Sequence, residues 1–172
     1  FMAYIDSSHY VAEKHLDKKH NYFLFIFSNY ADIYRKKRQY YKAIDFCEKG
    51  LSNSTKATPV STGSLYNKIA KNYISLGDYY KALKYLDIAY NLSLKSKANF
   101  AWYDTHNMFA KLYYQLDSDS LSKVHYDIAE NILITLNEPE NDNELQQIYL
   151  TNIEHACFNN EPKRADQYLE KY

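Results

Sequence analysis

Residues 64–94 read SLYNKIAKNYISLGDYYKALKYLDIAYNLSL, and this stretch decides the fold. On a helical period it predicts two amphipathic helices joined at Gly77 and Asp78. Gly77 would end the first helix, because glycine takes the left-handed C-cap conformation without strain. Asp78 would begin the second helix by offering its carboxylate to the unpaired backbone N–H groups. We therefore predict a helical hairpin whose closest contacts are made by Ala70, Ala82 and Ala89.

The same hairpin pattern recurs on both sides of this stretch. Residues 40–43 (Tyr-Tyr-Lys-Ala) are repeated without change at residues 79–82, 39 positions later. The run Leu86–Ala89 aligns with Tyr126–Ala129, 40 positions later. One such hairpin cannot bury its apolar face alone, so neighbouring hairpins are expected to stack. The predicted repeats span about residues 21–52, 63–97, 98–136 and 143–172, and the last matches the pattern least well.

Four features depart from the repeat. Residues 1–20 read as an N-terminal helix, or as the second helix of an earlier repeat whose partner would precede Phe1. Arg38 stands where Gly77 stands, so we expect that helix end to be capped in another way. In the third repeat Asp117 takes this place, and Ser118 or Asp119 would cap the next helix. Residues 53–62 are rich in Ser, Thr and Pro and read as an inter-repeat loop.

The pattern closely resembles the tetratricopeptide repeat. The residues that carry the resemblance are Tyr66, Ile69, Ala70, Tyr73, Gly77, Tyr79 and Ala82. It covers residues 21–172 and implies an all-α, helical-hairpin superhelix of about four repeats. The usual period is roughly 34 residues, so spacings of 39 and 40 are similar to the long-repeat variants of bacterial signalling regulators. The resemblance implies the sensor or interaction domain of a larger bacterial regulatory protein.

Composition argues against several other classes of protein. The formal net charge of +0 disfavours a nucleic-acid binder that works through general phosphate attraction. The longest apolar run, Tyr22–Phe27, is too short to span a bilayer. Cys47 and Cys157 lie far apart without metal-ligand or redox spacing, and each is expected to be a small buried residue. Compartment stays open, with the cytoplasm favoured and a bacterial periplasm as the alternative.

Sequence motifs for catalysis or cofactor binding are missing. The six histidines show no zinc-ligand spacing, and the three glycines stand alone rather than in a phosphate-binding loop. Carboxylates are scattered over the helices instead of gathered near a cleft. The many aromatic residues fall on the packing positions of the repeat, which favours a core role over stacking on bases or sugars. We therefore predict a protein that is not an enzyme, with no metal and no cofactor.

The resemblance also implies where a partner would bind. In tetratricopeptide arrays the first helix of each repeat lines a concave groove, through its fifth and ninth positions. These positions here are Ser28, Asp32, Asn67, Lys71, Asn107, Lys111, Leu150 and Glu154. Arg35 and Met108 would flank them. Because Asn can clamp a peptide backbone and Lys can pair with a carboxylate, the hypothesis is an extended peptide with an acidic side chain or a free carboxylate.

Two alternatives stand beside this hypothesis. Asn and Lys are common solvated residues on helices, so the repeated pair has an ordinary explanation as well. The array could also be a structural or oligomerising module that stacks end to end with a copy of itself or packs on a neighbouring effector domain. The basic run 35–38 and the acidic run 137–144 lie at opposite ends of the predicted array, as head-to-tail contact would require.

Overall fold

The computed structural model describes residues 2–17, 20–53, 57–96, 98–136, 142–158 and 161–171. Every regular element within these ranges is an α-helix. The helices are α1 (Met2–His15), α2 (Tyr22–Lys36), α3 (Tyr40–Asn53), α4 (Pro59–Leu76), α5 (Tyr79–Ser96), α6 (Asn99–Gln115), α7 (Asp119–Leu136), α8 (Asp142–Phe158) and α9 (Pro162–Leu169).

From α2 onward the helices pack in consecutive pairs, α2–α3, α4–α5, α6–α7 and α8–α9. The second helix of each of the first three pairs also packs on the first helix of the next pair. In addition α4 contacts both α2 and α6, and α1 packs on α2. This confirms the predicted fold class as an all-α helical-repeat solenoid, with four hairpins in the described part of the chain.

Small residues lie where the paired helices are closest. Ala43, Ala82 and Ala129 are fully buried, because only a short side chain lets two backbones approach this closely. Ser122 occupies the position of Ala82 in the third hairpin and is also fully buried. Its hydroxyl donates a hydrogen bond of 3.0 Å to the backbone carbonyl of Ala110, which satisfies the polar group inside the core.

The turn between α4 and α5 is built as the sequence predicts. Gly77 has a φ of 75°, in the left-handed region. The N–H groups of Gly77 and Asp78 donate to carbonyls of the last turn of α4, both at 3.0 Å. The carboxylate of Asp78 accepts a hydrogen bond from the N–H of Lys81 at 3.2 Å, at the start of α5.

The other two hairpin turns have the same geometry without glycine. Arg38 and Asp117 take φ values of 58° and 53°. The N–H groups of Arg38 and Gln39 donate to the end of α2, both at 2.9 Å. Those of Asp117 and Ser118 donate to the end of α6 at 3.0 and 2.9 Å. The expectation of a different cap at Arg38 is therefore wrong, since the hydrogen bonds impose the left-handed conformation on a residue that prefers another.

Helix boundaries differ from the sequence prediction between the first and second hairpins. Residues 53–62 were expected to form a loop, but α4 already begins at Pro59. Thr58 caps this helix, because its hydroxyl oxygen accepts the N–H of Ser61 at 3.2 Å. Proline is well suited to the first helical position, where its missing N–H and fixed φ cost nothing.

The two cysteines have different environments. Cys47 is fully buried between α3 and its neighbours, and burial raises the pKa of its thiol to about 12. Cys157 is exposed on α8, so the expectation that it is a buried residue is wrong. Neither cysteine forms a disulfide bond.

An aromatic stack recurs in the first three hairpins at equivalent positions. In each stack one ring of the second helix lies against rings at the same two positions of the first helix. Phe46 and His125 each contact a third ring as well, Tyr30 and Phe109. The central rings are Phe46, Tyr85 and His125. They lie 6.2 and 5.2 Å from Phe27 and Tyr34, 6.0 and 5.6 Å from Tyr66 and Tyr73, and 5.1 and 5.4 Å from His106 and Tyr113, between ring centroids. Packing inside the hairpins thus accounts for many of the aromatic residues.

Candidate functional site

The first helices of three hairpins, α2, α4 and α6, lie side by side on one side of the solenoid. Partly buried charged residues gather there. We call this set the charged cluster, and its members are Asp32, Arg35, Lys68, Lys71, Asp104 and Lys111. Four cations and two carboxylates thus occupy a surface from which water is partly excluded.

Both carboxylates of the charged cluster are engaged. Asp32 forms an ion pair with Lys68 that joins α2 to α4. Asp104 accepts a hydrogen bond of 2.9 Å from the side-chain amide of Asn67, which joins α4 to α6. Among the residues that the structure describes, no carboxylate forms an ion pair with the three remaining cations, which are Arg35, Lys71 and Lys111.

Burial is the largest cause of the lowered pKa values of the two lysines, and neighbouring cations lower them further. Burial, and then the charge of Lys71, lowers the pKa of Lys111 to about 8. Burial and then the charge of Arg35 lower the pKa of Lys71. Burial raises the pKa of Asp104, against the opposing effect of the hydrogen bond from Asn67. Since removal from water disfavours each charge and neighbouring cations repel one another, an incoming anion would relieve both costs at Lys71 and Lys111.

Asn67, predicted to line the groove, lies instead inside the contact between α4 and α6. Its side chain is only 4% exposed. The amide nitrogen donates to Asp104 at 2.9 Å and to the hydroxyl of Thr105 at 3.1 Å. Asn107, its predicted equivalent, is half-buried and donates to the hydroxyl of Tyr103 at 3.3 Å. Both amide nitrogens thus have partners within the fold.

The other predicted groove residues are divided between the cluster, the core and the surface. Lys71, Lys111, Asp32 and Arg35 belong to the charged cluster. Met108 is a correction, because its side chain is only 3% exposed and packs in the core between the second and third hairpins, where it cannot flank a groove. The remaining three are Ser28, half-buried on α2, and Leu150 and Glu154, exposed on α8 outside the cluster.

Sequence reasoning missed Lys68 and Asp104. The repeat register pairs Asn67 with Asn107, but the residue that Asn67 contacts across the helix interface is Asp104. Side-chain pairing between these first helices is therefore offset by three residues (107 − 104) from the repeat alignment, and we call this offset the stagger. Asp104 does lie seven residues, about two turns, before Lys111 and therefore on the same helical face. That spacing could have identified Asp104 as a site residue from the sequence.

A pair of histidines forms the aromatic stack of the third hairpin. Their Nδ1 atoms lie 2.8 Å apart, and His106 is only 4% exposed. The surrounding rings are those of Tyr90, Trp102, Phe109 and Tyr113. Burial and the neighbouring His125 lower the pKa of His106 to about 4, and burial lowers that of His125. Only one proton fits between two such nitrogens, and burial disfavours a charge on either ring, so both histidines are neutral near neutral pH.

Metal-binding clusters and membrane-spanning helices are both missing from the described ranges. No cluster of three or more His, Cys, Asp or Glu side chains in them could hold a metal ion. None of the helices that the structure describes combines the length and the apolar character needed to cross a membrane.

Comparison with known protein families found no match, and no curated protein is significantly similar to the chain. The tetratricopeptide resemblance accordingly stays a prediction, while the helical-repeat architecture rests on the structure itself.

Proposed function

We propose that this protein is a helical-repeat scaffold that binds a protein or peptide segment carrying carboxylates. The observation that carries the proposal is a set of three cations, Arg35, Lys71 and Lys111, that form no ion pair with any described residue and lie on one side of the solenoid. A carboxylate of the ligand lies between the lysine ammonium groups and completes the charge balance of the cluster.

The energetic argument rests on cations that are already partly desolvated. Lys71 and Lys111 have given up part of their hydration in the unbound protein, so a ligand recovers Coulomb energy at little further cost. Charge-assisted hydrogen bonds to a carboxylate are stronger than neutral ones. The bridge from Asn67 to Asp104 holds α4 beside α6 and thereby fixes the separation of the two lysines before binding.

The biological setting is part of the proposal and rests on resemblance alone. The tetratricopeptide-like pattern of the hairpins supports an adaptor role, because such arrays present a surface to a partner. The long repeat period supports a place as the sensor or interaction domain of a larger bacterial regulator. In this proposal the chain binds its partner and catalyses no reaction.

A peptide array tests the proposal directly. The array carries acidic, basic and neutral short peptides, each with a free and with an amidated C-terminus. We expect the protein to bind acidic peptides or those with a free carboxylate. Lys71→Gln combined with Lys111→Gln should weaken this binding by at least about tenfold. Binding should also weaken between about pH 7 and pH 9.5 as Lys111 loses its proton near pH 8.

The matched control is Lys84→Gln combined with Lys95→Gln. Both residues are exposed on α5, the second helix of the hairpin, and this variant changes the net charge by the same amount. The proposal fails if the two double variants bind equally well, or if the array shows no preference for carboxylates.

The second candidate function is self-association of the solenoid. It is favoured by large apolar side chains exposed near both ends of the described array, such as Tyr4 at 74% on α1 and Leu169 at 55% on α9. Tyr172 and residues 137–141 of the acidic run lie outside the described residues. Sedimentation velocity at high concentration tests this candidate, with Leu169→Glu expected to shift the protein toward the monomer. A monomeric wild type excludes it.

A further inference from the structure

The second hairpin lacks a large side chain at a position where its neighbours have one. In the repeat register Gly63 corresponds to Leu24 in the first hairpin and to Tyr103 in the third. Leu24 lies beside Gly50, whose added Cβ would come within 3.9 Å of the Leu24 backbone. Tyr103 packs in the same core cluster as Ala129. Each of these hairpins therefore pairs one large residue with one small residue.

The second hairpin instead pairs Gly63 with Ala89, and a cavity results. Its volume is about 320 Å³, and its walls include Gly63, Ala89, Phe100 and Ala101. A Cβ placed on Gly63 would meet its nearest neighbours at 3.6 and 3.7 Å, which is ordinary van der Waals contact. Space for a side chain is therefore available, and the sequence leaves it unfilled.

Polar groups line one part of this cavity. Asn67 and Asp104 both face it, joined by their 2.9 Å hydrogen bond. The orientation of the Asn67 amide is fixed by Thr105. The hydroxyl of Thr105 already donates to the carbonyl of Ala101 at 2.9 Å, so it accepts from the Asn67 nitrogen, which also donates to Asp104. The nitrogen of Asn67 must therefore face both groups, and its buried oxygen is left without a hydrogen-bond partner in the described part of the chain.

The polar part of the lining, formed by Asn67 and Asp104, is the floor of the cavity, and it distinguishes the cavity from a simple packing defect. Voids left by a missing side chain are typically lined by hydrocarbon. Here apolar walls stand above the carboxylate of Asp104, which can accept hydrogen bonds. A ligand donor that reaches this carboxylate gains a hydrogen bond that a purely apolar ligand cannot make.

We propose that the cavity between α4, α5 and α6 binds a compact amphipathic group. The group has an aromatic or branched apolar body and one terminal O–H or N–H donor, which is directed toward the Asp104 side of the floor. A volume of about 320 Å³ limits the ligand to a small molecule or to a single anchoring side chain. Apolar cavities of about half this volume bind benzene, so a ring fits.

The experiment uses p-cresol, which has a ring and a phenolic donor, and toluene, which lacks the donor. Binding is followed by protein-observed NMR titration of the full chain. We expect p-cresol to bind at ~1 mM or tighter, and toluene roughly tenfold more weakly. Gly63→Leu, which copies Leu24 of the first hairpin, should abolish binding of p-cresol. It should also raise the melting temperature, which shows that the variant is folded.

Ser75→Leu is the matched control, since it adds the same side chain to α4 at an exposed position away from the cavity. It should leave p-cresol binding unchanged. The proposal is overturned if p-cresol does not bind, if Gly63→Leu still binds it, or if toluene binds as well as p-cresol.

Titration with a blocked tripeptide that has a central tyrosine distinguishes the two possible ligands, a free small molecule and an anchoring side chain of a peptide. If the tripeptide shifts the same resonances as p-cresol and does so at least as tightly, the cavity holds an anchoring side chain of a peptide partner. If p-cresol binds and the tripeptide does not, the ligand is a free small molecule.

Discussion

The second hairpin (α4–α5) and the third (α6–α7) share a backbone plan while differing at several of the positions that define it. The second has Gly77 in its turn and a pair of tyrosines in its stack, Tyr66 with Tyr85. The third has Asp117 and a pair of histidines, His106 with His125. The comparison teaches that the hydrogen bonds at the helix ends and the volume of the stacked rings specify the hairpin. The identity of the turn residue sets the conformational strain, and the identity of the rings sets whether the stack can take up a proton.

The largest expected effect on stability comes from truncating a large core residue that occupies the same position in each hairpin. Tyr126 in the third hairpin and Leu86 in the second are both fully buried at equivalent positions. We expect Tyr126→Ala to lower the free energy of unfolding by about 3–5 kcal/mol, and Leu86→Ala by about 2–5 kcal/mol, because each leaves a cavity. Urea denaturation followed by circular dichroism measures both. Truncation of Tyr73, which is only half-buried, should cost less than either.

The next largest effect is expected at acid pH, which should destabilise the third hairpin more than the second. The pKa of His106 is lowered to about 4 in the folded state, against roughly 6.5 in the unfolded chain. When folding lowers the pKa of a base, the folded state keeps its full stability above the pKa of the unfolded chain. This stability is lost as the pH falls toward the pKa of the folded state, because the unfolded chain binds the proton more readily. The third hairpin should therefore lose on the order of 2 kcal/mol between about pH 6.5 and pH 4.

His106→Tyr combined with His125→Tyr, which copies the second hairpin, is the test of this assignment. The free energy of unfolding, measured by denaturation at several values in this pH range, should depend less on pH in the double variant than in the wild type. An unchanged slope in the double variant would mean that carboxylates elsewhere cause the acid sensitivity.

The closest helix contacts offer a third comparison. Ala82 is fully buried, and enlarging it to leucine should cost about 1–3 kcal/mol through overpacking. Ser122 fills the same place in the third hairpin but also makes a hydrogen bond, so Ser122→Ala should cost only about 1 kcal/mol. Thermal melts report both values. A melting temperature of Ala82→Leu equal to that of the parent would contradict the close contact.

The smallest effects are expected at the turns. Arg38 and Asp117 are left-handed without being glycine, so Arg38→Gly and Asp117→Gly should each stabilise the protein by up to about 1 kcal/mol. Gly77→Ala should destabilise it by about 1 kcal/mol for the same reason. Differential scanning calorimetry gives the sign of each change. If Asp117→Gly is destabilising, the aspartate side chain contributes more to this turn than its backbone strain costs.

Much of the fold could be predicted from sequence because its signals are local. Gly77 with Asp78, and the alanines spaced by 39 or 40 residues, mark where helices turn and touch. The errors arose where tertiary structure overrides local preference. Arg38 adopts a glycine-like conformation because its hairpin requires it, and Cys157 is exposed although cysteine is usually buried.

The candidate site was predictable only in part. Helical spacing identified Lys71 and Lys111 on their helix faces, but spacing within one helix says nothing of the stagger between helices. That stagger is set by side-chain packing, and it brings Asp104 rather than Asn107 against Asn67. Met108 was misplaced for a related reason, since the boundary between the core face and the outer face of α6 depends on where α4 and α5 lie.

The packing order of the helices has a kinetic consequence. The main helix contacts in the described structure join helices that are neighbours or next neighbours along the chain. Closing such short loops costs little entropy, and chains dominated by local contacts fold quickly. Each hairpin can thus assemble on the one before it as synthesis proceeds, without waiting for the C-terminus to leave the ribosome.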